Sequence, residues 1–200
     1  MIGKVYGIFT RFVRRLVLRW RGLRIPHSSN IFLPFTIRGG ENIRIGNETR
    51  IQKYGWLQAL PLTNVGKAEL IIGNRCRIAF FCHIVATRRI VIGNNVNIAN
   101  SVYLSDNLHG FEDPEIPPRD QPLIQKNDVI IGDDTWLGER VVVIGAKVGK
   151  HCVVGAHSVV TKDIPDYSVA VGIPAKIIKR YNFATKKWEK TNPDGTFIDD

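Results

Sequence analysis

Residues 92–104 read IGNNVN-IANSVY-L, and this stretch decides the fold. Ile92, Ile98 and Leu104 open successive units of six residues, and a compact side chain recurs at the fifth place of each unit. Antiparallel strands have an internal period of two, and hairpin turns do not recur every six residues. A six-residue period is instead typical of a β-helix, so the sequence predicts an all-β solenoid of short parallel strands.

The same period extends in both directions from this stretch. Three units close one triangular coil, and coils stack at about 4.8 Å. Glycine at the second place is predicted to relax the backbone at the turns. The pattern breaks at residues 53–69, which are predicted to form a projecting loop, and Val143–Lys147 is one residue short, which should distort a corner. The other units open at Ile45, Ile51, Ile72, Ile78, Ile84, Ile131, Leu137, Val143, Val148, Val154 and Val160.

The composition fits one domain with appendages. The chain has 200 residues, 44% of them hydrophobic, and a formal net charge of +10, which favours an anionic partner. Its cysteines, Cys76, Cys82 and Cys152, all occupy the compact fifth place, so we expect buried, reduced thiols of a cytoplasmic protein rather than nucleophiles. No apolar run approaches the roughly 18–20 residues of a membrane span.

The two ends of the chain lie outside the repeats. Residues 1–30 begin with a predicted amphipathic helix over residues 1–24. This helix packs on the protein body or on a neighbouring subunit, or its basic face lies on an anionic membrane, and both readings stay open. The β-helix domain spans residues 31–174, and residues 175–200 are predicted to form a short helix and a polar tail. The apolar stripe of the first helix comprises Val5, Phe9, Phe12, Leu16, Trp20 and Leu23.

A polar insertion, residues 105–129, interrupts the repeats with SDNLHGFEDPEIPPRDQP at its start. Of the five histidines, only His109 lies in such an excursion. Irregular segments held by a rigid scaffold often carry catalytic residues. A neutral imidazole can remove a hydroxyl proton at neutral pH, so His109 is the candidate general base.

Four stretches carry a resemblance to a known family. They are Val154-Gly-Ala-His-Ser-Val-Val-Thr-Lys-Asp-Ile-Pro, Val171-Gly-Ile-Pro-Ala-Lys-Ile-Ile, and Ser105-Asp-Asn-Leu-His-Gly-Phe-Glu-Asp together with Thr135-Trp-Leu-Gly. Over residues 40–180 the chain resembles the hexapeptide-repeat acyltransferases, and most closely the bacterial O-acetyltransferases of cell-surface polysaccharides. The resemblance implies a left-handed parallel β-helix, although parallel crossovers are usually right-handed.

The resemblance also implies an activity and a site. An acetyl group would move from acetyl-CoA to a sugar hydroxyl of a cell-surface polysaccharide or its precursor, with His109 as the base. Asp106, Glu112 or a backbone carbonyl would orient the imidazole. The enzyme would be a homotrimer with active sites between subunits and no metal. The implied acetyl-CoA contacts are Trp136, Gly138, Gly155, Ala156, Thr161, Lys162, Lys176 and Lys179.

Two positions depart from the family pattern. Asn107 stands where related sequences often have a first histidine, and Phe80 stands where some have a polar residue that contacts the acceptor. The acceptor used by the small-sugar enzymes of the family should therefore not be assigned to this chain.

Other functions remain as alternatives. The same base would serve N-acetylation of an amino sugar nucleotide, and a trimeric membrane-associated scaffold without activity would explain the basic helix. Zinc chemistry needs about three converging ligands, which the spacing of the histidines does not indicate. The basic residues come with no nucleic-acid reading motif. The expected location is the cytoplasm, at the inner face of the membrane if the first helix binds there.

Overall fold

The computed structural model describes Val13 and residues 15–198. Residues 15–20 form a helix, α1, and Val13 is also helical. No helix in this part of the chain is long and apolar enough to cross a membrane. The remainder is built almost entirely from short strands, which form a left-handed parallel β-helix of triangular cross-section.

Three parallel sheets form the faces of the prism. Face A contains β1 (Asn30–Ile31), β4 (Arg50–Ile51), β7 (Arg77–Ile78), β10 (Asn97–Ile98), β15 (Trp136–Leu137), β18 (Val153–Val154) and β20 (Ser168–Val171). Face B contains β2 (Thr36–Arg38), β5 (Trp56–Ala59), β8 (His83–Ala86), β11 (Tyr103–Ser105), β16 (Val142–Ile144) and β19 (Val159–Val160). Face C contains β3 (Ile43–Ile45), β6 (Glu69–Ile72), β9 (Arg89–Ile92), β14 (Val129–Ile131) and β17 (Lys147–Val148).

The aliphatic residue that opens each unit points into the prism, as predicted. On face A the pairing places Ile78 beside Ile98 and Ile98 beside Leu137, and each is at most 1% exposed. Full burial of such a side chain stabilises the fold by about 1.5–3 kcal/mol, so stacked coils gain from every unit. The core is therefore a column of aliphatic side chains along the axis.

The glycine at the second place of the six-residue units serves close stacking and not backbone freedom, which corrects the expectation. Gly73 and Gly93 are absent from the residues with left-handed φ, whereas Asn95, two places after Gly93, has φ 57°. A Cβ at Gly73 would lie 2.4 Å from the carbonyl oxygen of Gly93 in the next coil. Only a residue without a Cβ allows the coils to approach this closely.

Two predicted segments differ in the structure. Residues 53–69 do not project as a whole, because β5 completes face B within them and only residues 60–68 leave the prism. The C-terminal segment expected to be helical is β21 (Lys176–Asn182), which pairs antiparallel with β20 and with β22 (Lys187–Lys190). The open edge of face A explains this outcome, because β20 offers unpaired backbone groups that a strand satisfies and a helix does not.

Helix α1 covers the N-terminal end of the prism. Of the predicted apolar stripe, Leu23 is buried in the core, whereas Leu16 and Trp20 are 51% and 87% exposed. Val5, Phe9 and Phe12 lie outside the described residues. Leu18, which is not part of the stripe, is also buried in the core. The guanidinium of Arg15 donates hydrogen bonds to four backbone oxygens, those of Ile25, Pro26, His27 and Ser29. Within residues 15–20 the helix therefore packs on the body through Leu18, and the predicted stripe contacts the core only at Leu23, beyond the helix.

Candidate functional site

A two-stranded arm carries His109 away from the prism. We call residues 106–128 the arm; it leaves face B after β11 and returns to face C at β14. Within it β12 (Asn107–His109) pairs antiparallel with β13 (Leu123–Gln125), so that His109 lies opposite Leu123. His109 is exposed. The next residue, Gly110, is closely packed, and a Cβ there would lie 2.6 Å from the carbonyl oxygen of Pro122.

The root of the arm is fixed by Asp106, which is fully buried. Its Oδ1 accepts hydrogen bonds from the backbone N–H and the hydroxyl of Thr87, both at 2.8 Å. Its Oδ2 accepts from the backbone N–H groups of Arg88 and Arg89, both at 2.7 Å. The Asn107 amide donates a further bond to Oδ1. The carboxylate thus ties the arm to the corner of the preceding coil.

These contacts correct the expected role of Asp106 within one subunit. Its oxygens are occupied by the backbone of residues 87–89, and none of its hydrogen bonds joins it to His109. Glu112 is exposed in a part of the arm, residues 111–120, where every residue is exposed. A role for Glu112 in orienting the imidazole remains a prediction.

Asn107, at the position of the family's first histidine, is buried. Its Nδ2 binds Asp106, and its backbone N–H and C=O both bind the hydroxyl of Ser105. This residue therefore belongs to the root of the arm. His109 is left as the histidine that the arm presents to solvent.

The shortened repeat lies beside the arm, where a distorted corner was predicted. Gly145 takes a left-handed φ of 54°, and its N–H donates to the carbonyl oxygen of Ser105. A cleft of about 620 Å³ opens at the same corner between faces B and C. It contains two cationic side chains, Arg88 and Lys126, and no acidic ones; its remaining lining is Val65, Leu108, Gln125, Asn127, Ile144, Gly145 and Thr161.

The predicted acetyl-CoA contacts fall on two separate edges of the prism. Trp136, 49% exposed, lies on β15 of face A. Gly138, Gly155 and Ala156 follow strands of face A at the corner with face B, and Lys176 and Lys179 lie on β21. Thr161 and Lys162 instead follow β19 at the corner between faces B and C, where Thr161 shares the cleft with the arm residue Leu108.

The two glycines of the predicted donor site have a structural reason to be glycine. A Cβ at Gly138 would lie 2.7 Å from the backbone nitrogen of Ala156, and one at Gly155 would lie 2.7 Å from Cγ1 of Val171. Both contacts are with the next coil of the same chain. Their approach to a bound donor stays a prediction.

Phe80, the second departure from the family pattern, lies at the corner between faces A and B. It is 38% exposed, and its ring is 6.4 Å from that of Phe81, which in turn stacks on Tyr54. An aromatic surface therefore stands where some relatives have a polar acceptor contact.

The cysteines are buried, as predicted. Burial raises the pKa of both Cys82 and Cys152 to about 11, and the Sγ atoms lie 3.2 and 3.1 Å from the backbone oxygens of Ala99 and Pro165. A thiol with such a pKa is a poor nucleophile at neutral pH. Within Val13 and residues 15–198, no three His, Cys, Asp or Glu side chains cluster in a way that could hold a metal ion.

Sequence reasoning missed the residues that hold the arm. Thr63, Thr87 and Gln125 bind one another or Asp106 across 19 to 62 positions of sequence. Nothing local marks them, because all three are ordinary polar residues at loop or strand ends. Asp106 stands out in the sequence only because it is close to His109, and its bonds to the backbone of residues 87–89 appear only in the structure.

Comparisons with known sequences agree with the repeat pattern. Residues 128–162 match the family model described as the hexapeptide repeat of succinyl-transferase. WbbJ of Escherichia coli K12, named for O-acetyl transfer in lipopolysaccharide biosynthesis, is 35% identical over 202 residues, covering 94% of this chain and 97% of WbbJ. Galactoside O-acetyltransferase of the same organism is 29% identical over 171 residues, covering 85% and 82%.

Solved structures share the coil. A hexapeptide-repeat acetyltransferase from Vibrio cholerae, complexed with acetyl coenzyme A, has 26% identity and a TM-score of 0.57 over 84% of this chain and 75% of its own. A maltose O-acetyltransferase from Clostridium difficile has 28% identity and a TM-score of 0.56 over 84% and 74%. AntD, an N-acyltransferase from Bacillus cereus, reaches a TM-score of 0.70 over 85% and 89%, but at 21% identity this similarity concerns the fold alone.

Proposed function

Because this chain belongs to the hexapeptide-repeat acetyltransferases, we propose that it transfers an acetyl group from acetyl-CoA to a hydroxyl of a sugar in a cell-surface polysaccharide or its precursor. The observation that carries the proposal is His109, exposed on an arm whose root is fixed by a buried carboxylate. A rigid support for an accessible imidazole is what general base catalysis requires.

The reaction needs two proton transfers, one to the imidazole of His109 and one from it. His109 accepts the proton of the sugar hydroxyl as its oxygen attacks the thioester carbonyl, and the new C–O bond forms. The C–S bond then breaks, and the imidazolium returns the proton to the leaving thiolate, so that the products are the acetyl ester and free CoA. The base acts directly on the acceptor, and no covalent acetyl-enzyme is required.

Release of CoA tests this proposal. Purified protein with acetyl-CoA and a panel of lipid-linked, nucleotide-linked and polymeric saccharides should release CoA thiol with one of them, and mass spectrometry of the product separates an ester from an amide. His109→Gln should lower kcat by about 10²–10⁴-fold, the usual contribution of a general base. His27→Gln is the control, because His27 is also exposed but lies at the N-terminal end. Equal turnover of His109→Gln and wild type would refute the mechanism.

The division of the predicted donor contacts between two edges supports a site shared by two subunits. The arm that carries His109 leaves and rejoins the prism at the corner of faces B and C, where Thr161 also lies, whereas Trp136 lies on face A. One chain would then supply the base and its neighbour the surface that binds acetyl-CoA. A closed homotrimer repeats this contact three times by symmetry.

Mixed oligomers test the shared site. His109→Gln and Trp136→Ala subunits, each inactive alone, are unfolded together and refolded as a mixture. If the site is shared, random assembly places a wild-type His109 beside a wild-type Trp136 in about a quarter of the sites. Activity near that fraction is expected, and no recovery would refute the shared site.

Helix α1 supports a contact with an anionic membrane at the cytoplasmic face. Val13, Leu16 and Trp20 follow one another at helical spacing and are 41%, 51% and 87% exposed. The exposed side chains of Arg19 and Arg24 line a pocket next to them. An exposed apolar stripe with arginines beside it matches the chemistry of a surface of anionic lipids.

Sedimentation with vesicles tests this contact. Wild-type protein should sediment with vesicles containing anionic phosphatidylglycerol more than with phosphatidylcholine alone, and Leu16→Ser with Trp20→Ser should abolish the difference. Trp188→Ser is the matched control, because Trp188 is also exposed but lies on β22, beyond the last coil of the prism. Equal sedimentation of the double variant and wild type would contradict the proposal, and so would a failure of wild type to bind anionic vesicles.

A further inference from the structure

Residues 60–68, the loop between β5 and β6, reach across to the arm. The hydroxyl of Thr63 donates a 2.6 Å hydrogen bond to Oε1 of Gln125, a residue 62 positions later on β13. Val65 of the same loop lines the cleft together with Leu108 of β12. The loop therefore binds β13 directly and shares the cleft with β12, the strand that carries His109.

The side chain of Gln125 connects this loop to the root of the arm. Its Nε2 donates to the carbonyl oxygens of Asp106 at 2.6 Å and Lys126 at 3.0 Å. Because both of these partners are acceptors, the orientation of the amide is fixed, and Oε1 must face the hydroxyl groups.

Of the two described hydroxyl groups near Oε1 of Gln125, only that of Thr63 can donate a hydrogen bond to it. The hydroxyl of Thr87 also lies 3.1 Å from it, but it lies 2.8 Å from Oδ1 of Asp106. A hydroxyl carries one hydrogen, and the nearer, charged acceptor takes it. The bond from Thr63 is therefore the one that secures this end of the amide.

The arm depends on such contacts because it has little packing of its own. A two-stranded hairpin is marginal in water, and residues 111–120 of the arm are all exposed. Gln125 lies opposite Asn107, two residues before His109 on the paired strand. A bond that fixes Gln125 therefore restricts the strand on which His109 lies.

We propose that Thr63 and Gln125 are positioning residues, and that residues 60–68 brace the arm so that His109 keeps the position needed for proton transfer. The effect on turnover rests on the proposed function, whereas the effect on the mobility of the arm does not. Neither residue touches substrate in this scheme; both act through the paired strands β12 and β13.

Two measurements test the proposal. Thr63→Val keeps the shape of the side chain and removes the hydroxyl, and Gln125→Leu removes the amide. Hydrogen exchange of residues 106–126 should accelerate about tenfold in both variants, as expected for a local opening made easier. The kcat should fall about tenfold with KM for acetyl-CoA within about twofold, because the base is misplaced while donor binding persists. Thr63→Ser should restore both.

Thr49→Val is the control. The Thr49 hydroxyl also donates a 2.8 Å bond, to the carbonyl oxygen of Gly73, but inside the prism and away from the arm. This variant should lower the melting temperature without accelerating exchange in residues 106–126. A general loss of stability is thereby separated from a loosened arm.

Unchanged exchange in Thr63→Val would overturn the brace, and accelerated exchange with unchanged kcat would overturn its role in positioning. Failure of the proposed function looks different. In that case wild type and His109→Gln release CoA at the same rate, while the exchange comparison still decides whether Thr63 holds the arm.

Discussion

Replacement of Asp106 by asparagine should destabilise the protein far more than an ordinary surface change. The buried carboxylate accepts hydrogen bonds from three backbone N–H groups, those of Thr87, Arg88 and Arg89. Asparagine has one acceptor oxygen. In the better of its two orientations, the asparagine oxygen still accepts the hydrogen bonds from the backbone N–H groups of Arg88 and Arg89. The asparagine NH₂ group then faces the N–H of Thr87, a residue that is 0% exposed.

The magnitude follows from these contacts. A buried N–H left without an acceptor costs about 1–3 kcal/mol, and loss of the charge weakens each of the two remaining bonds by about 1 kcal/mol. The sum is about 3–5 kcal/mol. For a chain of this size the melting temperature should fall on the order of 10 °C.

Urea unfolding followed by circular dichroism measures this loss, with Asp128→Asn as the control. Asp128 binds Nε of Arg88 at 2.6 Å, but both side chains are partly exposed, so its replacement should cost at most about 1 kcal/mol. Asp106→Asn should also accelerate hydrogen exchange at residues 87–89. If the two variants lost the same stability, the role assigned to the buried carboxylate would be refuted.

Three further predictions concern the prism. Gly73→Ala should lower the unfolding free energy by more than about 2 kcal/mol, because the new Cβ would meet the backbone at 2.4 Å. Gly66→Ala is the control: its Cβ would meet nothing within 4 Å, so it should cost only about 1–2 kcal/mol for its left-handed φ. The opposite order of the two losses in urea unfolding would contradict the stacking role. Leu23→Ala, at a position 1% exposed, should cost about 2–5 kcal/mol by the same assay, and a loss under about 1 kcal/mol would contradict its burial. Burial raises the folded-state pKa of Cys82 and Cys152 to about 11 from the ordinary value of 9.0. The unfolded chain loses these protons first, so stability should fall as pH rises from about 9 to 11. Cys82→Ala should reduce that fall in urea unfolding across this pH range, and an unchanged fall would contradict the assignment.

The repeat pattern predicted the fold because its signal is local and redundant. Each unit places an aliphatic residue in the core, so residues 92–104 are enough to give the period and the inward positions. The same register, extended along the chain, places all three cysteines at buried positions. The same register located the departure at residue 105 and singled out His109. These features require only that the period be counted, since every coil repeats the same burial.

Contacts between distant residues could not be predicted in this way. The sequence does not indicate the role of the repeat glycine, because the atom that leaves no room for a Cβ at Gly73 belongs to Gly93 in the next coil, 20 residues later. The segment Lys176–Asn182 was misread as a helix because its strand form depends on the open edge that β20 presents.

The repeat period is enough to predict the β-helix, its core and the position of the candidate base. The contacts that hold this base appear only in the folded chain, where Asp106 binds the backbone of residues 87–89 and Thr63 binds Gln125. Burial of an aliphatic column follows from a periodic pattern, whereas a hydrogen bond between single polar groups depends on where two loops meet in space.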